Sequence, residues 1–309
     1  MVLLKVRFWQ PRPRFIFQVC ALMAFLVLPG GLVHAQQPKI DVLRIGASGS
    51  LSTEKRGDKE NSALETLKAF IMEETGLANE ILQQKDWREL VDKMSKGDLH
   101  LGVFQGYEFA WAQEKQPELR PLALAVNVYR YPVGYVVTQR DSPAKDFAGL
   151  QGQSISIPAA GQRFLRLFVE HESQAAGKKP EAFFSKITSP DNIEDALDDV
   201  VDGVVQATVV DRAALEAYKR RKPGRFKKLK EVARSQPFPP PLVAYYDKVV
   251  DEGTRERFRQ GLLGAGQKDK GQTMLTLFRL TGFEAVPEDF GKVLAETRKT
   301  YPAPGATTK

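Results

Sequence analysis

The feature that most constrains the fold is a helix–strand module that occurs twice in the sequence. In the first copy, Asp86 precedes an apolar stripe at helical spacing, and Glu89 stands three residues after it. This pattern is typical of a helix N-terminus, where an acidic cap and a later Glu bond the free backbone N–H groups. Gly97 then ends the predicted helix. Residues 99–104 follow as an almost continuously apolar segment, which indicates a buried strand.

The second copy repeats this order of features in the second half of the chain. Asp191 and Glu194 begin the predicted helix, Gly203 ends it, and residues 204–210 form an apolar strand before Asp211. Two such halves, with polar residues at the strand ends, predict two α/β lobes that face a cleft. Open α/β sheets bind ligands beyond the carboxyl ends of their strands, so we expect a ligand in that cleft.

The first 35 residues are predicted to be a cleavable export signal. A basic leader without acidic residues precedes the apolar residues 15–28, and a small-residue cleavage site ends at Ala35. An uncleaved membrane anchor is the alternative, but this apolar segment has about 14 residues, whereas a bilayer span needs about 20. The sole cysteine, Cys20, lies inside the signal. The mature protein is therefore expected to contain no disulfide and no thiolate chemistry.

The charge of the chain depends strongly on this leader. Its four basic residues account for part of the formal charge of +7, so the mature protein is near +3. Nucleic acid is therefore not an expected partner. Residues 219–230 remain locally basic, with eight Lys or Arg residues in twelve. This run is either a solvated surface or a contact for an acidic partner or lipid headgroup.

The rest of the sequence predicts a discontinuous first lobe and a continuous second lobe. A strand at residues 42–46 leads through a small polar loop to a helix, which the Ser62–Glu65 capping pattern starts near Ser62. Two extended stretches, residues 129–132 and the proline-rich 235–241, are predicted to cross between lobes in a hinge architecture. The expected boundaries are residues 36–129 with 237–309 for lobe 1, and residues 130–236 for lobe 2.

The sequence offers little that could support catalysis. Its three histidines, His34, His100 and His171, have no metal-ligand spacing, and no nucleophile motif or phosphate-binding glycine loop is present. We therefore expect no enzyme activity, no metal and no cofactor. An exported enzyme remains a weaker alternative to a binding protein.

Candidate ligand contacts lie where strands end and helices begin, because free backbone N–H groups at helix starts suit an anion. Gly106 permits close backbone approach, and Arg163 offers a charge-assisted bond. Alternatives exist: the loop serines suit turns, Arg163 suits packing over Phe164, and Asp211 suits a helix cap. The full candidate set is Ser48, Ser50, Gln105, Gly106, Tyr107, Tyr131, Gly161, Arg163 and Asp211.

The order of these elements resembles a known family of proteins. The matching stretches are residues 43–46, 86–110, 141–152, 208–211, 235–241 and 277–283. Over nearly all of residues 40–301, the chain is similar to phosphate/phosphonate-type periplasmic solute-binding proteins of ABC transporters. The resemblance implies a two-lobed α/β fold of the periplasmic-binding-protein type, in which each lobe is a mostly parallel sheet flanked by helices and two hinge crossings join the lobes. It also implies a monomer in the periplasm that delivers a small phosphonate- or phosphate-like anion to a membrane permease.

Two motifs depart from the family pattern. Family members usually have a Ser-Thr-Ser-Gly-like loop at the start of the second lobe's helix, whereas this chain has Pro158-Ala-Ala-Gly161. The family's Gly-Pro-x-x-Tyr turn is Gln105-Gly106-Tyr107-Glu108-Phe109 here. Either Arg163 and the backbone replace the lost hydroxyls, or the ligand differs. The alternative function is a sensory or scaffold module of the same fold that contacts a partner protein through residues 219–230.

Overall fold

The computed structural model of the protein describes residues 40–49, 58–159 and 162–305. The predicted signal segment and the candidate residues Ser50 and Gly161 lie outside the described residues. The strands are β1 (Val42–Ala47), β2 (Ala78–Gln83), β3 (Leu101–Phe104), β4 (Leu119–Val126), β5 (Gly134–Gln139), β6 (Ser154–Ser156), β7 (Lys186–Thr188), β8 (Ala207–Asp211), β9 (Leu229–Arg234), β10 (Leu242–Tyr246) and β11 (Gly282–Glu284).

Helices connect these strands. They are α1 (Asp58–Thr75), α2 (Trp87–Ser95), α3 (Gly106–Lys115), α4 (Arg163–Ala175), α5 (Pro180–Phe183), α6 (Ile193–Val201), α7 (Arg212–Arg221), α8 (Pro223–Phe226), α9 (Glu252–Leu263), α10 (Asp269–Leu277) and α11 (Phe290–Thr300). Two short 3₁₀ turns, Ala148–Leu150 and Ala265–Gln267, complete the described elements.

The described strands form two separate sheets, and this confirms the predicted two-lobed α/β fold. The first sheet has the order β11-β4-β10-β3-β1-β2, and the second has the order β7-β6-β8-β5-β9. In the first sheet β1, β2, β3 and β4 run in one direction, while β10 and β11 run in the other. In the second sheet only β5 opposes its neighbours. The chain crosses to the second sheet after β4 and returns with β10.

The first helix–strand module folds as its sequence predicts. The Asp86 side chain accepts hydrogen bonds from the backbone N–H groups of Arg88 at 2.9 Å and Glu89 at 3.0 Å. The Glu89 carboxylate in turn accepts one from the Lys85 N–H at 2.7 Å. Such caps stabilise a helix by about 0.5–2 kcal/mol. Gly97, at a φ of +79°, ends the helix in the left-handed region that glycine adopts most readily.

The second module differs from the prediction at its start. Asn192, rather than Asp191, is the N-cap of α6, and its side chain accepts a bond from the Asp195 N–H at 2.7 Å. Both residue types cap helices well, so the pattern alone did not separate two adjacent candidates. Gly203 ends the module as predicted, at a φ of +77°.

The start of α1 was also predicted wrongly. The helix begins at Asp58, so Ser62 lies inside its first turns and its carbonyl accepts a bond from the Thr66 hydroxyl at 2.8 Å. A Ser-x-x-Glu pattern also occurs within helices, and it therefore does not by itself fix the first residue. The end of α1 is as expected, because Gly76 follows it at a φ of +71°.

Three buried clusters hold the helices to the two sheets. One packs α1, α9 and α10 on a face of the first sheet, and another packs α6 and α7 on a face of the second. The third is larger and continuous from the first sheet to the second, through α2, α3, α4 and α11. One side of the region between the lobes is therefore filled by core.

Candidate ligand-binding site between the two sheets

The end of β3 leads directly into α3 through three of the candidate residues. Gln105 is the N-cap of α3 in extended conformation, and Gly106 is its first residue. A Cβ atom on Gly106 would lie 2.0 Å from the Pro239 carbonyl oxygen. The return crossing of the chain therefore packs directly against Gly106, at a distance that only a glycine permits.

Tyr107 brings a group of the first lobe close to a group of the second. Its side chain is buried, and burial raises the pKa of its hydroxyl, while the positive charge of Arg163 acts in the opposite direction. Arg163 is the first residue of α4, which follows the second sheet's β6. Candidate residues from both lobes thus lie near each other.

Four aromatic residues continue this contact between the lobes. The Phe164 and Phe238 ring centroids are 4.8 Å apart, and those of Phe238 and Tyr301 are 4.5 Å apart. The Trp111 indole N–H donates to the Tyr301 carbonyl at 2.7 Å. We call Trp111, Phe164, Phe238 and Tyr301 the aromatic bridge. It joins α3, α4, the return crossing and the residue after α11.

Asp211 occupies the end of β8. Its carboxylate accepts a bond from the Ala214 N–H at 2.9 Å, so it caps α7, as the alternative interpretation of this residue expected. The side chain is only 6% exposed, and burial raises the pKa of the carboxyl group. The cap bonds from Ala214 and Ala213 act in the opposite direction and lower this pKa. A buried carboxyl whose pKa is nevertheless raised is typical of a functional site.

A cavity of about 670 Å³ opens beside Asp211 and is lined from both lobes. This volume lies within the range of small-molecule sites, about 300–1,000 Å³. We call it the interlobe cavity. The first lobe contributes Arg279 and the residues after β4, and the second contributes α6 and α7. Its lining is Asn127, Val128, Asp191, Asn192, Ile193, Glu194, Asp195, Leu197, Asp211, Ala213, Ala214, Ala217, Tyr218, Arg220, Arg221 and Arg279.

Backbone strain is concentrated at this cavity. Val128, with a φ of +63°, and Arg279, with a φ of +55°, are the non-glycine residues with positive φ in the described part of the chain. Val128 is the centre of a tight turn in which the Tyr129 N–H donates to the Asn127 carbonyl at 2.6 Å. A β-branched residue rarely adopts this conformation, which costs about 1–3 kcal/mol.

Arg279 stands where a helix usually has glycine. It follows α10, and its N–H donates to the Thr276 carbonyl at 3.1 Å, while the Leu280 N–H donates to the Leu275 carbonyl at 2.8 Å. These two bonds form a Schellman motif, whose left-handed residue is most often glycine. For an L-residue this conformation costs about 1–2 kcal/mol.

The remaining described candidates lie elsewhere. Ser48 is fully buried, and its N–H donates to the Val103 carbonyl at 3.1 Å. The Tyr131 hydroxyl donates to Asp289 at 3.4 Å, near the start of α11. Among the described candidate residues, Asp211 alone lines the interlobe cavity. Sequence reasoning missed Val128 and Arg279, because no sequence pattern marks a non-glycine residue that takes positive φ. Arg220 was part of the basic run at residues 219–230 but was not a candidate ligand contact.

Several basic residues in the run at residues 219–230 bond acidic residues of the same lobe. Asp198 on α6 accepts bonds from Tyr218 at 2.6 Å, Lys222 at 2.5 Å and Arg225 at 2.6 Å. Lys222 also pairs with Glu194 at 2.8 Å. These contacts fix α7 and α8 to α6, so this part of the run stabilises the second lobe.

The described residues contain neither a metal-binding cluster nor a membrane-spanning helix. In them no group of His, Cys, Asp and Glu is arranged to hold a metal ion. The buried His100 instead accepts a hydrogen bond from the Arg44 N–H at 2.9 Å. No helix among the described residues has the length and apolar character that a bilayer span requires.

Residues 52–290 match the family of periplasmic phosphonate substrate-binding proteins of ABC transporters. The chain belongs to this family. Members bind a small solute in the periplasm and deliver it to an ABC permease, as the sequence predicted. No curated protein matches the chain.

Solved structures share the fold of this family member at low sequence identity. PhnD1 of Prochlorococcus marinus, in complex with methylphosphonate, has a TM-score of 0.56 and 14% identity over 84% of this chain and 97% of its own. A Xanthomonas citri protein bound to ATP has a TM-score of 0.59 and 19% identity over 85% and 97%. A binding-protein component of a Pseudomonas aeruginosa ABC phosphonate transporter has a TM-score of 0.53 and 13% identity over 87% and 90%. These similarities confirm the two-lobed fold.

Proposed function

We propose that the mature protein is a monomeric, non-catalytic periplasmic receptor for a small oxyanion of the phosphonate or phosphate class. The leader, residues 1–35, is removed on export. The ligand lies between residues 130–236 on one side and residues 36–129 with 237–309 on the other. The observation that carries this proposal is the interlobe cavity, which a family of solute-binding proteins would use and which both lobes line.

Groups with complementary roles surround the space between the lobes. Arg163 supplies positive charge near the Tyr107 hydroxyl. Asp211 is a buried carboxyl with a raised pKa, and it suits a hydrogen bond to a protonated phosphonate or phosphate oxygen. The other predicted contacts are Ser48, Ser50, Gln105, Gly106, Tyr131 and Gly161. None of the described ones lines the interlobe cavity, so Asp211 is the predicted contact that the cavity itself supports. Because the two lobes supply different groups, a ligand that contacts both stabilises the closed arrangement.

The alternative, a sensory or scaffold module that contacts a partner through residues 219–230, has less support. Lys222 and Arg225 of this run already bond Asp198 on the neighbouring helix. A partner would have to break these contacts or use only the remaining basic residues.

A thermal-shift screen tests the proposed ligand class. The mature protein is heated with methylphosphonate, 2-aminoethylphosphonate, inorganic phosphate, sulfate, amino acids and organic acids. A cognate ligand at one hundred times its Kd should stabilise the native state by about 2.7 kcal/mol through mass action. A response confined to amino acids would contradict the oxyanion class. Silence across the whole screen would contradict solute capture.

Point substitutions then test the contact set. Arg163→Gln and Asp211→Asn should each weaken the response to an oxyanion that the wild-type protein binds. The loss of one charged hydrogen bond corresponds to about 1.5–3 kcal/mol. Isothermal titration calorimetry measures the two affinities, and wild-type values for both variants would remove these residues from the site.

A further inference from the structure

The interlobe cavity contains two arginines that the candidate set did not include. Arg279 follows α10 of the first lobe, and Arg220 lies on α7 of the second. Both side chains are exposed. Neither belongs to a salt bridge among the described residues, although the charge of Arg220 acts on Glu216 and Tyr129. By contrast, Arg221 on the same helix bonds Glu194. One arginine from each lobe is therefore available at the cavity.

Arg279 adopts an unfavourable backbone conformation. The residue closes the Schellman motif after α10 at a φ of +55°, where glycine would be unstrained. Strain of this kind clusters at binding and catalytic sites, where a side chain at that position has a use. The useful part of Arg279 is its guanidinium group, because nothing in the backbone motif requires an arginine.

Most of the carboxylates that line the cavity are already hydrogen-bonded or paired. They therefore repel an anion less strongly than free carboxylates would. Glu194 pairs with Lys222 at 2.8 Å and also bonds Arg221. Asp195 bonds the Asn192 amide, and the Asp211 carboxylate accepts the Ala214 N–H. Asp191 is the lining carboxylate without a described hydrogen bond or ion pair. The guanidinium groups of Arg279 and Arg220 likewise have no described hydrogen bond, and Arg220 acts on Glu216 through its charge alone. These two groups therefore supply the positive charge that can meet a ligand.

We infer that Arg279 and Arg220 form a two-arginine grip that holds the oxyanion of the ligand from the two lobes. This inference rests on the proposed function and adds the residues that recognise the charge. Guanidinium groups match the geometry of phosphonate and phosphate oxygens through paired N–H donors. An oxyanion between the two groups would screen their repulsion and draw the lobes together.

One substitution at Arg279 should raise stability and weaken binding. Arg279→Gly removes the charge and relieves the strained φ, so the melting temperature without ligand should rise. Its affinity for methylphosphonate, measured by isothermal titration calorimetry, should fall at least tenfold. Arg279→Asn, which also tolerates the left-handed region, should lose affinity to the same extent. Arg279→Lys keeps the charge but loses the paired N–H donors, so its affinity should lie between that of Arg279→Asn and that of the wild type.

The second arm tests the opposite lobe. Arg220→Gln should weaken methylphosphonate binding at least tenfold, while Arg140→Asn, at the far end of the second sheet, should bind as the wild type does. Methylphosphonate affinity that survives both Arg279→Gly and Arg220→Gln would overturn the two-arginine grip and leave the proposed function intact. A lower melting temperature for Arg279→Gly would contradict the strain argument. A wild-type protein that binds no oxyanion in the screen would overturn both proposals.

Discussion

The two sides of the region between the lobes are built from different chemistry. On one side the aromatic bridge fills the space with buried rings, and Phe238 is completely buried at its centre. On the other side the interlobe cavity is open, charged and bordered by the strained Val128 and Arg279. The same two lobes thus meet through a core on one side and through a polar cavity on the other.

This difference indicates how the protein moves. Packed interiors resist deformation, so the lobes should remain together along the aromatic bridge. The cavity side has no such packing, and it should open and close around a ligand. Backbone strain and charge lie on the cavity side, while buried apolar area lies on the side of the aromatic bridge.

The largest expected effect comes from removing the centre of the aromatic bridge. Phe238→Ala deletes a fully buried ring between Phe164 and Tyr301. We expect the free energy of unfolding to fall by about 3–5 kcal/mol, measured by urea denaturation. Phe278→Ala is the control. Phe278 is 42% exposed, so the free energy of unfolding of this variant should fall far less. Equal losses in the two variants would contradict the view that the bridge is core.

A somewhat smaller effect is expected where the return crossing passes over α3. Gly106→Ala places a Cβ atom 2.0 Å from the Pro239 carbonyl oxygen, so one backbone must shift. We expect a loss of about 1–3 kcal/mol in urea denaturation, as for other overpacked sites.

Gly291→Ala is the matched control for that substitution. Gly291 lies in α11, and a Cβ atom added there would meet no described atom within 4 Å. Alanine at this position should therefore stabilise the helix by up to about 1 kcal/mol. A Gly106→Ala variant as stable as the wild type would show that the crossing does not lie against α3.

The smallest effects are expected at Asp211, on the cavity side. Asp211→Ala removes the cap of α7 and should cost about 1 kcal/mol, whereas Asp211→Asn keeps a capping side chain. Burial raises the pKa of Asp211 above its ordinary value of 3.8, so the native state binds this proton more tightly than the unfolded chain does. The stability that this preference contributes is present below pH 3.8 and is lost as pH rises through the native-state pKa.

Asparagine mimics the protonated carboxyl at every pH. Asp211→Asn should therefore gain stability relative to the wild type at pH 7, and this gain should vanish in acid. Thermal unfolding from pH 3 to pH 8 measures the difference. A wild-type protein that is more stable than Asp211→Asn at pH 7 would show that the ionised carboxylate is favoured in the native state.

The fold could be predicted from the sequence because its signals are local. Asp86 and Gly97 mark the ends of one helix through contacts within a few residues, and the apolar strands that follow indicate buried sheet. The two crossings were also visible, since residues 235–241 are too rich in proline for a helix or a central strand. These features do not depend on distant parts of the chain.

The site was less predictable because its features depend on tertiary contacts. Gly106 was interpreted as a place for a ligand, but the atom that approaches it belongs to Pro239, which is distant in sequence. Arg279 replaces the glycine that ordinarily marks the end of a helix, so no signal located its conformation. Asp211 was equally suited to a cap and to a contact, and in the structure it caps α7 while lining the cavity.

The most direct test of the account is a pair of distances between spin labels, measured by pulsed electron paramagnetic resonance with and without methylphosphonate. The sole cysteine, Cys20, lies in the predicted signal, so labels can be placed freely in the mature chain. One variant carries Thr276→Cys and Lys219→Cys on the cavity side, and the other carries Glu114→Cys and Gln174→Cys on the aromatic side. All four positions are exposed.

Ligand should shorten the distance on the cavity side and leave the distance on the aromatic side unchanged. Equal changes on both sides, or binding without a change on the cavity side, would contradict the claim that the lobes pivot on a packed aromatic bridge and close over the cavity.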